Sequence, residues 1–109
     1  MTKTVSMKRV IIIGDETVEY RLEKEIHDLG ATGLTFYVVH GVGAKGQRPR
    51  HAESANVKIE IICTVEVADK ILAHVQKNYF PNYAVIAFVD DVEVLRSEKF
   101  GAPTGESKE

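Results

Sequence analysis

Residues 7–13, Met7-Lys8-Arg9-Val10-Ile11-Ile12-Ile13, place four branched aliphatic side chains in unbroken succession. Successive strand residues point to opposite faces, so this run predicts a strand covered on both sides, with Gly14 expected to end it. Downstream, Asp15 suits a helix N-cap and Glu16 lies in a first turn where the helix dipole favours an acid. Val18, Leu22, Ile26 and Leu29 then recur at helical spacing until Gly30 closes the helix.

Residues 34–39 are rich in aromatic and β-branched side chains, and residues 56–65 alternate Val57, Ile59, Ile61 and Cys63 against Lys58, Glu60 and Thr64. Both read as strands. A second helix is expected over residues 66–79, with Val67, Ile71, Leu72 and Val75 on one face and a stop before Pro81. Residues 84–89 give a fourth strand and residues 92–95 a further short one, with Asp90 and Asp91 in a turn between them.

The order β-α-β-β-α-β is the ferredoxin-like arrangement, an α+β fold with a four-stranded antiparallel sheet and two helices on one face. Two helices cover only one sheet face, whereas residues 10–13 and 84–89 are apolar on both. Another copy of the chain is the expected cover, making a homo-oligomer.

A chain of 109 residues allows one domain, expected at residues 1–100, with a loose tail at 101–109. The balance of 14 basic and 16 acidic residues gives a net charge of −2, which supplies no global field for nucleic acid or an anionic membrane. Residues 1–8 lack the apolar core of a secretory signal, and no apolar run is long enough to span a bilayer. Cys63 is the only cysteine, so an internal disulfide and a cysteine-cluster zinc site are excluded, and a cytoplasmic setting is expected. Its place in the apolar register points to a buried, inert thiol.

The segment 41–54 holds Gly41, Gly43, Gly46, Lys45, Arg48, Arg50 and His51 with hardly an apolar anchor. It is long for a hairpin connection. Glycine backbone admits close approach, lysine offers a point charge and arginine a planar fork for phosphate or carboxylate, so an anion site is one reading. A merely solvated loop is the other. Gly41, Gly43 and Gly46 match GxGxxG, but the segment leads into a strand where a dinucleotide fingerprint opens a helix. Gln47 stands where a Walker loop needs lysine.

No zinc-ligand spacing accompanies His27, His40, His51 or His74, and no metal is expected. Residues 56–65 carry no aromatic ring on which RNA bases would stack. Asp90, Asp91 and Glu93 are the one carboxylate group that would serve a nucleotide-hydrolysing enzyme, the alternative to a binding protein.

Residues 55–61 (ANVKIEI), 79–84 (YFPNYA) and 92–95 (VEVL) resemble the PII-like signalling superfamily over residues 8–100. With Gly43-Ala44-Lys45-Gly46-Gln47-Arg48 ahead of them, the chain is similar to the carboxysome-associated, bicarbonate-transport-linked branch. That resemblance implies a non-enzymatic homotrimer, with sheets lining the centre and adenine nucleotides in the clefts between subunits. The expected ligands are ADP or AMP, with ATP and cyclic AMP as further candidates and bicarbonate beside the phosphates.

It also implies roles. Residues 41–54 correspond to the T-loop, with Lys45, Arg48 and Arg50 on phosphate and Gly43 and Gly46 allowing backbone approach. Asn82, Tyr83 and Ala84 would border the nucleotide from a shortened B-loop, and the Ile62 backbone and Arg96 would complete the contacts. The implied partner is a bicarbonate transporter or another inorganic-carbon protein. The glycine-rich B-loop signature of nitrogen-regulatory relatives is absent around residues 81–85, and residues 41–54 hold no tyrosine for uridylylation.

Overall fold

The computed structural model describes residues 2–41 and 56–101. Its elements run β1 (Val5–Asp15), α1 (Glu19–Asp28), β2 (Thr35–Val39), β3 (Asn56–Cys63), α2 (Val65–Asn78) and β4 (Ile86–Val94), with 3₁₀ turns at Glu16–Val18 and Ser97–Phe100. One antiparallel sheet has the strand order β2-β3-β1-β4. This is the expected ferredoxin-like βαββαβ fold.

The β1 run divides between two faces as its pleat requires. Val10 and Ile12 join Val57, Ile59, Ile61 and Cys63 in one core with Leu22 and Ile26 of α1 and Ala68, Ile71 and Val75 of α2. Ile11 and Ile13 point the other way, level with Phe88 and Ile86 of β4. Neither helix roofs that second face, where Ile86 and Phe88 are 57% and 47% exposed.

Gly14 does not end β1. It is buried and paired with Val57, and the strand continues to Asp15. The glycine serves close approach instead, because a Cβ there would lie 2.9 Å from Val85 Cγ2. Asp15 caps the 3₁₀ turn, accepting from the Thr17 amide at 2.8 Å, so α1 starts one turn later than expected. Gly30 closes α1 at φ +120°, a left-handed conformation that glycine adopts without penalty. Thr64 leaves the strand to cap α2, accepting from the Val67 amide at 3.3 Å.

The larger correction concerns Asp90 and Asp91. They occupy no turn: β4 runs straight through them, and the two short strands expected there are one. The reason lies on β1, where Arg9 stands opposite Asp90 and Lys8 opposite Asp91, each forming an ion pair at 2.7 Å. Opposite charges directly across a ladder favour pairing where sequence alone suggests a break. Among the described residues, no helix is long and apolar enough to cross a membrane.

Candidate functional site

The sheet presents two ends, and the candidate residues fall on both. At the first end, the segment joining α1 to β2, the last turn of β3 side chains and the C-terminal 3₁₀ turn enclose a cavity of about 280 Å³. Thr32, Gly33, Leu34 and Thr35 line it with Glu60, Ile62, Lys99 and Phe100. Ile62, one of the candidate residues, is part of this lining. Arg96 begins the turn that carries Lys99 and Phe100, and its backbone is left-handed at φ +54°. Gly101 ends the turn at φ +91°. The Thr32 hydroxyl donates to the Lys99 carbonyl at 2.6 Å and holds the turn against the body.

The cavity combines aliphatic surface from Leu34 and Ile62, one ring from Phe100, hydroxyls from Thr32 and Thr35, and two opposite charges on Glu60 and Lys99. Glu60 is oriented by the Tyr37 hydroxyl, which donates to it at 2.8 Å, and by Lys58 at 3.8 Å. At about 280 Å³ this half-open cleft lies just below the roughly 300–1,000 Å³ usual for ligand pockets.

At the opposite end lie Asn82, Tyr83 and Ala84, in the turn between α2 and β4. β4 enters the sheet there with Ile86 opposite Ile13. Val39 and Asn56 face each other at the same end, so the segment between β2 and β3 leaves from it and returns to it. Backbone bonds to Tyr79 O from the Asn82 and Tyr83 amides, at 3.1 and 2.9 Å, shape the turn. Asn82 and Ala84 are exposed, and Tyr83 is half-buried.

A dense network fixes this turn. The ring of Tyr79 is fully buried and its hydroxyl donates to Glu25 Oε1 at 2.6 Å. His74 Nε2 meets the same oxygen at 2.7 Å. Arg21 lies 5.1 Å from the Tyr79 ring and 5.8 Å from the Tyr83 ring, and donates to the Tyr83 hydroxyl at 3.1 Å. Burial by itself would raise the Glu25 carboxyl, but the hydrogen bonds from Tyr79 and His74, with the charges of His74 and Arg21, hold it below the ordinary value. Tyr79 moves up, through burial first and the Glu25 contact second.

Along β1, Arg9 pairs with Ile62 and Ile13 with Ile86, so four residues, roughly 13 Å at strand rise, separate the two ends. Ile62 thus lines the cavity at one end, Arg96 precedes the turn whose Lys99 and Phe100 line it too, and Asn82, Tyr83 and Ala84 lie at the other end. Gly43, Lys45, Gly46, Arg48 and Arg50 lie outside the described residues.

The carboxylates of the enzyme alternative do not converge. Asp90 is bound by Arg9, whose hydrogen bond is the main cause of its lowered pKa, Asp91 by Lys8, and Glu93 accepts from the Thr4 hydroxyl at 2.7 Å. Among the described residues no three His, Cys, Asp or Glu side chains gather to hold a metal. Cys63 is buried, and burial pushes its thiol up to about 11, which suppresses the nucleophilic thiolate. His27 and His40 are exposed, while His74 is spent on the network.

Sequence reasoning missed Thr35, Glu60, Lys99 and Phe100, which come together only when three distant segments fold onto one another. It also missed Arg21. Its one signal was the i,i+4 spacing to Glu25, realised at 3.7 Å.

Residues 7–99 match the family model of the nitrogen regulatory protein P-II. A PII-like signaling protein from Thermus thermophilus superposes with a TM-score of 0.79 at 41% identity, covering 91% of this chain and 99% of that one. CPII from Thiomonas intermedia K12, in a structure bound to ADP, AMP and bicarbonate, gives 0.82 at 23% identity over 92% and 98% of the two chains. GlnK of B. subtilis, as an ATP complex, gives 0.60 at 26% identity over 80% and 83%.

Proposed function

The chain belongs to the nitrogen regulatory protein P-II family, whose members are signalling proteins, and from that premise we propose that it is a homotrimeric sensor of adenine nucleotides. One observation carries the reading: among the described candidate residues, Ile62 lies towards one end of the sheet and Asn82, Tyr83 and Ala84 lie at the other. A ligand that touches both does so at a seam between two copies. The unroofed face with Ile86 and Phe88 supplies apolar surface for such an association.

In this arrangement the base end of the nucleotide enters the cavity against Ile62, with Arg96 at its lip. The phosphates meet the neighbouring copy at Asn82, Tyr83 and Ala84 and at Lys45, Arg48 and Arg50, with Gly43 and Gly46 giving the backbone room to approach. ADP and AMP are the ligands of choice, and bicarbonate sits beside the phosphates; the ligands named for the CPII structures support this assignment.

Three cations on one segment repel each other when the site is empty, so an anion biases the segment towards one arrangement and changes the surface a partner meets. The partner is a bicarbonate transporter or another inorganic-carbon protein in the cytoplasm, as in the carboxysome-associated branch. Residues 1–100 form the sensing domain and 101–109 its tail.

Calorimetry with AMP, ADP, ATP and cyclic AMP, with and without bicarbonate, tests the reading alongside sedimentation. A trimer that binds ADP and AMP is expected; a monomer at micromolar concentration, or a trimer indifferent to all four, overturns it. Arg50→Ala should weaken ADP far more than adenosine, since a charged hydrogen bond contributes about 1.5–3 kcal/mol. Equal losses for both ligands place the segment elsewhere.

A further inference from the structure

Phe100 supplies the one ring among the residues that line the cavity, which Leu34 and Ile62 from other segments line with aliphatic surface. A ring and an aliphatic surface bounding one cleft make a slot for a flat apolar face with polar edges. Thr35 and Glu60 add a hydroxyl and a carboxylate to the same lining for those edges.

The backbone that carries the ring is specialised. The turn Ser97–Phe100 begins in Arg96 at φ +54° and leaves through Gly101 at φ +91°. A non-glycine residue in the left-handed region costs about 1 kcal/mol or more, so tertiary structure must hold it there. Here the tie is the Thr32 hydroxyl on the Lys99 carbonyl, one residue before the ring. Gly101 approaches the same threonine, since a Cβ on it would lie 3.7 Å from Thr32 Cγ2. The reversal at Arg96 thus returns the chain to the α1–β2 connection and sets Phe100 against the cavity.

We propose that Phe100 is a base-stacking residue of the nucleotide site, positioned by Arg96, Thr32 and Gly101. The inference rests on the nucleotide reading of this cavity and adds to it the group that grips the base. Stacking accepts any flat heterocycle, so Phe100 contributes affinity for a nucleobase rather than a choice among bases.

These 109 residues contain no tryptophan, so Phe100→Trp installs a single indole reporter in this chain. ADP is expected to quench and shift its emission while binding about as tightly as to the wild type. Phe100→Ala and Phe100→Leu should each weaken ADP about tenfold in calorimetry, because leucine keeps the bulk and loses the ring, while unliganded melting stays within a degree or two of wild type.

Full affinity in the leucine variant, or an indole that does not respond to saturating ADP, overturns the stacking role. Weakened ADP binding accompanied by a large fall in melting temperature assigns Phe100 to structure and overturns it too. A wild-type protein that binds neither ADP nor AMP overturns the nucleotide reading itself, and the stacking role falls with it. Wild-type ADP binding with unchanged affinity in Phe100→Ala sinks the stacking role alone.

Discussion

At one end of the sheet, Tyr79, Glu25, His74 and Arg21 lock α1, α2 and the following turn into a block with part-buried hydrogen bonds, tilted aromatic rings and an arginine over the Tyr79 ring. At the other end, among the described residues, the turn Ser97–Phe100 is joined to the body by one side-chain hydrogen bond, from Thr32. A part-buried network around a fully buried ring is costly to disturb, because a polar group it releases regains only part of its hydration. An exposed turn with one tie opens at little cost. The network thus fixes the turn that carries Asn82, Tyr83 and Ala84, whereas the 3₁₀ turn is held by a single tie.

The comparison breaks first at Tyr79. Tyr79→Ala empties the largest fully buried side-chain position and removes one of the hydrogen bonds to Glu25, and should cost about 3–5 kcal/mol in urea unfolding. A loss below about 1 kcal/mol would show that the network does not anchor the turn. Gly14→Ala comes next, since its new methyl meets Val85 at 2.9 Å. Overpacking of this kind costs about 1–3 kcal/mol, and Gly14→Ala with Val85→Ala should recover much of it. Additive losses in the double variant would assign the strain elsewhere.

Glu25→Gln sharpens the same contrast through pH. The Glu25 carboxyl is held below its ordinary 4.5, so its stabilisation is fully present above that value and is lost as pH falls through the folded-state value. The variant should be less stable than wild type by about 1–2 kcal/mol at pH 7, with the gap closing on acidification below pH 4.5. A gap that is constant or widens towards acid contradicts the assignment. The smallest effect belongs to the loose end: Arg96→Gly relieves a left-handed backbone and should stabilise by about 1 kcal/mol or less. Destabilisation there would mean that the arginine side chain, not the tie to Thr32, holds the turn.

Much of the fold is legible from local pattern. Alternation along Val57, Ile59, Ile61 and Cys63 predicts which side of β3 is buried, and Leu22 and Ile26 mark the inner face of α1, because apolar periodicity and burial share one geometric cause. Local pattern fails where the deciding partner lies on another strand. Asp90 and Asp91 look like a turn until Arg9 and Lys8 stand opposite them, and Gly14 looks like a terminator until Val85 fills the space a side chain would need. Likewise, of the residues that line the cavity the resemblance names Ile62 alone, and Thr35, Glu60, Lys99 and Phe100 meet there only in the folded chain.

By itself the sequence determined the order of elements, the inner faces of its strands and helices, and an unroofed apolar face, since each follows from the spacing of neighbouring residues. Tertiary structure alone decided that β4 runs unbroken, that a cavity opens at one end of the sheet, and that the candidate residues divide into two groups. Those outcomes depend on which distant residues are brought into register, and hydrogen-bond ladders and side-chain volumes set that register only once the whole sheet has closed.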